Sequence, residues 1–136
     1  MDHAPLVVNI MSFSFKNPPD WASYPHGGGF VFDCRAVPNP GREERFKALT
    51  GLDLPVQEYL TGLPDFEIFF AATSCLVDQA VVHHQHRGFS QLAVAYGCTG
   101  GQHRSVFSAL RLAQLLQSRV AVSLDHREFR NWPKTS

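Results

Sequence analysis

The 136-residue chain is predicted to adopt an α/β fold, a single domain with a mostly parallel sheet flanked by helices. Three observations predict it. Strand-like and helical segments follow one another in the order β, β, α, β, α, β. The strand-like segments are β-branched or aromatic, and each runs into a loop of Gly, Pro or Asn. The helical segments carry apolar residues at three- and four-residue spacing.

The elements follow in order. "PLVVNIMSFSF" reads as the first strand. "KNPPDWASYPHGGG" is dense in Pro and Gly and reads as loop. "FVFDC" reads as a short buried strand, and "RAVPNPGREE" as a second loop. "ERFKALTG" predicts one or two helical turns ended by Gly51. "LDLPVQEYLTG" predicts another short helix, with Asp53 as cap and Pro55 near its first position. From Asp65 to about His86, Phe66, Phe69, Phe70, Leu76, Val77, Ala80 and Val81 recur at helical spacing. They predict one long helix capped by Asp65. "QLAVAYGC" reads as a strand. "HRSVFSALRLAQLLQS" reads as an amphipathic helix with Val106, Leu110, Ala113 and Leu116 on one face. "VAVSLD" is the last strand, and "HREFRNWPKTS" a polar tail.

Composition excludes some functions. Acidic and basic residues number 12 each, so no global charge draws the chain to nucleic acid. Binding of RNA needs a local patch. The cysteines Cys34, Cys75 and Cys98 form no paired framework and suit reduced thiols in a cytoplasm. Cys34 and Cys75 sit in apolar contexts and read as packing residues. With no signal-like start and no run of ~18 apolar residues, neither export nor a membrane span is expected. His83 and His86 share a helix face, but no Cys or carboxylate completes a ligand set, so no metal and no cofactor are expected. Phe66, Phe69 and Phe70 read as core or subunit interface.

Ligands of open α/β sheets sit beyond the carboxyl ends of the strands. Loops begin there after Phe15, Cys34 and Gly97. In the last of these, "GCTGGQHRSV", Gly100 and Gly101 allow close backbone approach. The following helix adds unpaired N–H groups and the positive end of its dipole. Thr99 and Ser105 offer hydroxyls, and Arg104 a planar fork for phosphate or carboxylate. The turn reads as an anion cradle, although it lacks the spacing of a nucleotide P-loop. Lys16, Asp33 and Arg35, at the ends of two other strands, are expected to join it, with Asp33 orienting Arg35 or a sugar hydroxyl. A second reading is enzymatic. Cys98 and Arg104 form a Cys-x5-Arg-Ser array like that of cysteine-dependent phosphatases, with Cys98 as nucleophile. Against it, Gly97 replaces their usual His, His103 replaces a usual Gly, and the terminal "WP" leads to Lys134 rather than to an acid.

"SFSFK", "FVFDCRAVPNP", "LTGLDLPVQEYL" and "GCTGGQHRSV" occur in this order. Together they resemble the C-terminal domain of the RapZ family of bacterial RNase adapter proteins, over about residues 7–129. The resemblance implies a sugar-phosphate-binding fold of phosphofructokinase type. It implies a domain that senses glucosamine-6-phosphate, binds small RNA and belongs to a homo-oligomer. It also implies that the family's N-terminal P-loop domain is not in this chain. By resemblance Thr99, Gly100 and Arg104 contact the sugar phosphate, and Cys98, Gly101, Gln102, His103, Ser105 and Asn39 fall in the same site. Gln102 stands where members commonly carry Lys, and Gly41 where the regulatory adapter has a ligand-binding His. The family's basic RNA-binding end corresponds to Arg127, Arg130 and Lys134, here interspersed with Asp125 and Glu128. Weak RNA binding is therefore expected. The leading expectation is a binding module for a phosphorylated small molecule.

Overall fold

The computed structural model describes residues 5–23 and 29–134. The expected loop at 24–28 and the last two tail residues lie outside them. Four strands form one parallel sheet in the order β2-β3-β1-β4: β1 Val7–Ser14, β2 Gly29–Asp33, β3 Gln91–Cys98 and β4 Ala121–His126. Three helices, α1 Leu54–Thr61, α2 Pro64–Arg87 and α3 Arg104–Leu116, flank the sheet. Each strand-to-strand connection is long enough to return the chain to the same edge, as parallel pairing requires.

Alternation along the strands decides the two faces. Val8 and Ile10 of β1, with Leu92, Val94 and Tyr96 of β3, enter the main core. They meet Val56 and Leu60 of α1, Phe66, Phe70, Val77 and Val81 of α2, and Phe107, Leu112 and Leu116 of α3. The opposite face holds a smaller cluster of Met11, Phe13 and Ala95, with Phe15 packed against it.

Local chemistry moves several expected boundaries. The cap of α2 is Leu63, and Pro64 opens the helix, because its fixed φ and missing N–H suit that position. Asp65 therefore lies in the first turn, where its charge meets the helix dipole. Asp53 precedes α1 but makes no side-chain cap; its carboxylate accepts instead from the Thr50 N–H at 2.7 Å. "ERFKALTG" yields a single 3-10 turn at Glu44–Phe46. Strand β2 is an edge strand and not a buried one: Val31 is 52% exposed, because only β3 pairs with it. Leu110 is half-buried, while Phe107, Ala109 and Leu112 take the core side of α3.

Cys34 is fully buried, and burial pushes its thiol well up. Cys75 is exposed, which corrects its reading as a packing residue. Leu76 is also exposed, because α2 buries only the side carrying Phe66, Phe70, Val77 and Val81. By length and composition α2 is long and apolar enough to cross a membrane, although no continuous apolar run announces it, and 28% of its most apolar window is buried in the protein.

Candidate anion-binding cleft

Because the strands are parallel, Ser14, Asp33 and Cys98 all end at the same edge of the sheet. The loop after Cys98 starts there. The Ser14 hydroxyl donates to the Thr99 carbonyl at 2.6 Å and anchors its first residue. Gly97 is required by close approach, since a Cβ there would lie 2.4 Å from the Phe13 ring and 2.6 Å from that of Phe15. These rings exclude the His that cysteine phosphatases carry before the nucleophile.

Gly101 turns the loop at φ +65°, a region that side chains resist, and a Cβ would meet Glu128 at 2.7 Å. Its carbonyl accepts the Trp132 indole N–H at 2.9 Å. Buried Glu128 accepts from Asn17 and Asn131. Two residues of the tail, Glu128 and Trp132, thus underlie the glycine turn. No side chain caps α3, so the N–H groups of its first turn keep their hydrogen-bonding capacity.

Arg104 is the first residue of α3 and is 4% exposed. One terminal nitrogen donates to the carbonyls of Val37 at 2.8 Å, Arg35 at 3.1 Å and Cys34 at 3.5 Å, and the Arg104 Nε has no partner among the described residues. No described carboxylate pairs with it. Among the described residues the guanidinium's hydrogen bonds go to backbone carbonyls, an arrangement that favours an arriving anion.

Two adjoining lobes open around it. The larger, about 440 Å³, is lined by residues that include Arg35, Asn39, Arg42, Glu43, Tyr59, Thr99 and Arg104. The smaller, about 250 Å³, is lined by Asn39, Gly41, Lys47, Cys98, Thr99, Gly100, Gln102, His103 and Arg104. Asn39, Thr99 and Arg104 line both. The Asn39 carboxamide oxygen accepts from the Gly41 N–H at 2.9 Å and shapes the facing turn.

The expected site residues have different positions. Asp33 grips Arg35 through bonds of 2.8–3.1 Å, and this contact lowers the Asp33 carboxyl below its ordinary range. Arg35 also lies over the Phe15 ring at 4.1 Å. Lys16 is exposed and lines neither lobe. Gln102 lines the smaller lobe, but its amide N–H groups donate to the carbonyls of Lys47 and Leu49 at 2.9 and 2.8 Å. His103 Nε2–H donates to the Phe46 carbonyl at 2.9 Å, and burial lowers its pKa. Both side chains clamp the 46–49 segment. Cys98 and Ser105 are buried, with Sγ and Oγ 3.0 Å apart.

Arg42, Glu43, Lys47 and Tyr59 escaped the sequence reading. The clamp brings Arg42, Glu43 and Lys47 to the cleft from far along the chain. The one local signal was the density of charge in "GREERFK". Of the tail residues, Arg127 donates to the Asn17 carbonyl at 3.2 Å, and Arg130 and Lys134 are exposed. Among the described residues no group of three or more His, Cys, Asp or Glu is placed to hold a metal ion.

The fold and cleft define a class: a parallel α/β domain with a glycine-turned, basic cleft at the carboxyl ends of its strands. The chain belongs to the RapZ C-terminal domain family, whose model matches residues 6–130. It is similar to a nucleotide-binding protein of Halorhodospira halophila, at 44% identity over 124 residues, covering 90% of this chain and 42% of that protein. It is also similar to a nucleotide-binding protein of Shewanella woodyi, at 40% identity over 127 residues (93% and 44%). A nucleotide-binding protein of Rhodospirillum rubrum is 35% identical over 136 residues (98% and 41%). The chain spans less than half the length of these relatives.

Proposed function

We propose that the domain binds a phosphorylated small molecule of the sugar-phosphate class and does no chemistry on it. The phosphate occupies the smaller lobe, against the Thr99–Gly101 backbone and Arg104. The sugar extends into the larger lobe toward Asn39, Glu43 and Tyr59. The observation that carries this reading is Arg104, a buried guanidinium whose Nε has no partner and which forms no salt bridge among the described residues. Arg35, Arg42 and Lys47 add positive charge at the rim, although Asp33 offsets the first and Glu44 the last. An amino-sugar phosphate such as glucosamine-6-phosphate fits this charge pattern, with Glu43 taking the amine. With three free thiols, we place the protein in the cytoplasm.

Calorimetry with glucosamine-6-phosphate, and with inorganic phosphate as the minimal probe, tests the reading. Arg104→Ala removes a charge-assisted bond worth roughly 1.5–3 kcal/mol, so affinity falls about 10- to 150-fold. Arg104 also ties three carbonyls together, so a second variant guards against misfolding. Gly100→Asp places a carboxylate where a Cβ meets nothing within 4 Å, and it abolishes binding while leaving the fold intact. Unchanged affinity in a folded Gly100→Asp protein removes this site.

A second reading, weak RNA contact, is favoured by Phe129, which stands 65% exposed beside Arg127 and Arg130. An aromatic face between two cations suits single-stranded bases. Micromolar, salt-sensitive gel shifts that disappear in the Arg127→Ala, Arg130→Ala double variant support it.

A further inference from the structure

Two of the three cysteines stand level on adjacent strands. Strands β2 and β3 pair Phe32 with Tyr96 and Asp33 with Gly97. The Cys34 N–H continues the ladder by donating to the Gly97 carbonyl at 2.7 Å, so the next rung sets Cys34 beside Cys98. Side chains alternate along a strand, and both thiols fall on the helix-covered face, in the main core. Neighbouring strands lie about 4.8 Å apart, within the roughly 4.4–6.8 Å Cα separation that a disulfide spans. The surroundings of the two thiols differ. Cys98 lines the smaller lobe of the cleft, about 250 Å³, and its sulfur lies 3.0 Å from the Ser105 hydroxyl. Cys34 is fully buried, lines neither lobe and meets the Ser108 hydroxyl at 3.9 Å.

We propose that Cys98 and Cys34 form a reversible disulfide when a hydroperoxide enters the smaller lobe, and that this bond weakens the cleft for its phosphorylated ligand. The second half rests on the binding reading above. A hydroperoxide fits the lobe and reaches Cys98 there, whereas Cys34 is closed to it. The Cys98 sulfur attacks one peroxide oxygen. An S–O bond forms as the O–O bond breaks, the sulfur gives two electrons to the peroxide, and the thiol proton leaves with the departing oxygen as water or an alcohol. The product is a sulfenic acid on Cys98. The Cys34 sulfur then attacks the Cys98 sulfur. The S–S bond forms, the S–O bond breaks, and the Cys34 proton leaves with the hydroxyl as water. Burial keeps the Cys34 thiol protonated, so it stays idle until a sulfenic acid stands beside it. A disulfide holds its Cβ atoms about 3.8 Å apart, so the two strand ends are drawn together by roughly 1 Å. Both ends carry the cleft: Thr99 follows Cys98, and the carbonyls of Cys34, Arg35 and Val37 hold Arg104. The bond therefore shifts the loop and the guanidinium against each other, and a binding site tolerates little such displacement. Coupling is reciprocal, so an anion in the lobe covers Cys98 and slows its oxidation.

Treating the 136-residue protein with hydrogen peroxide tests the pair. A Cys75→Ser background removes the exposed thiol and leaves Cys34 and Cys98. Thiols titrated after denaturation are expected to fall from two to none, with the peptides carrying Cys34 and Cys98 joined in a mass map. Dithiothreitol should return both. Saturating inorganic phosphate should slow the loss about five-fold or more. Calorimetry should find the phosphate affinity of the oxidised protein about ten-fold lower, and restored on reduction. Cys34→Ala should arrest the reaction at a dimedone-reactive Cys98. Should that variant fail to fold, the mass map of the Cys75→Ser protein decides without it. Peroxide that leaves both thiols intact overturns the pair, as does a Cys98 sulfenic or sulfinic acid with Cys34 still free. A disulfide that leaves phosphate affinity unchanged overturns its effect on the cleft. A reduced protein that takes no phosphate overturns the binding reading and that effect together, while the thiol count, which uses no ligand, still decides the pair.

Discussion

The Trp132 indole N–H donates to the Gly101 carbonyl at 2.9 Å, and this bond ties the C-terminal tail to the glycine turn after β3. Gly101 sits at φ +65°, with Glu128 packed where its side chain would be. The tail is therefore part of the loop's support, and its aromatic residue acts on the cleft from beneath.

Trp132→Phe keeps the ring and deletes the donor. About 1 kcal/mol of stability is expected to be lost, read as a lower urea midpoint at unchanged slope. Amide hydrogen exchange should quicken at Gly100–His103, and affinity for inorganic phosphate should weaken, although Trp132 lines neither lobe. Unaltered exchange in the loop would show that the strand ends alone hold it.

Glu43 is the one carboxylate among the residues lining the two lobes. If a ligand's amine meets it, Glu43→Gln lowers affinity for glucosamine-6-phosphate about ten-fold and leaves glucose-6-phosphate unchanged. Equal losses for both ligands would place the amine elsewhere.

The loop that builds the cleft was legible in sequence because its chemistry is local. Glycines, hydroxyls and Arg104 fall within eight residues at the end of an evident strand. Its facing wall was not legible. Lys47 reaches the cleft only because Gln102 binds its carbonyl and His103 that of Phe46, across 55 and 57 positions. Gln102 and His103 read as ligand-facing polar groups, yet their hydrogen bonds hold the protein's own backbone. Spacing likewise marks the apolar residues of α2 without telling which side faces the core. Cys75 consequently reads as a packing residue and proves exposed, as does Leu76 of the same helical series.

Burial lowers the pKa of both His103 and His126. Unfolded, each takes a proton near pH 6.5; folded, each resists until lower pH. The unfolded chain therefore binds more protons below about 6.5, and stability falls with pH from there toward the native values. The slope is at most about 1.4 kcal/mol per pH unit for each histidine. Urea midpoints at pH 7.5, 6.5 and 5.5 measure it. His103→Gln should flatten the dependence, and a profile that is level over this range would contradict the assignment.

The final prediction separates binding from catalysis at Cys98. Its sulfur lies at the end of β3, 2% exposed and 3.0 Å from the Ser105 hydroxyl. A phosphoryl-transfer enzyme built on this array needs an acid to protonate the leaving oxygen. The one lining carboxylate, Glu43, belongs to the larger lobe only, whereas Cys98 lines the smaller. Trp132 and Pro133 lie with the tail that supports the loop, and Lys134 rather than an acid stands next to them. The protein should thus release no phosphate from glucosamine-6-phosphate or from an aryl phosphate. Cys98→Ser should retain phosphate affinity within about two-fold, since a hydroxyl of similar shape replaces the thiol. Steady release that Cys98→Ser eliminates, with binding retained, would make Cys98 a nucleophile and replace the binding module with an enzyme.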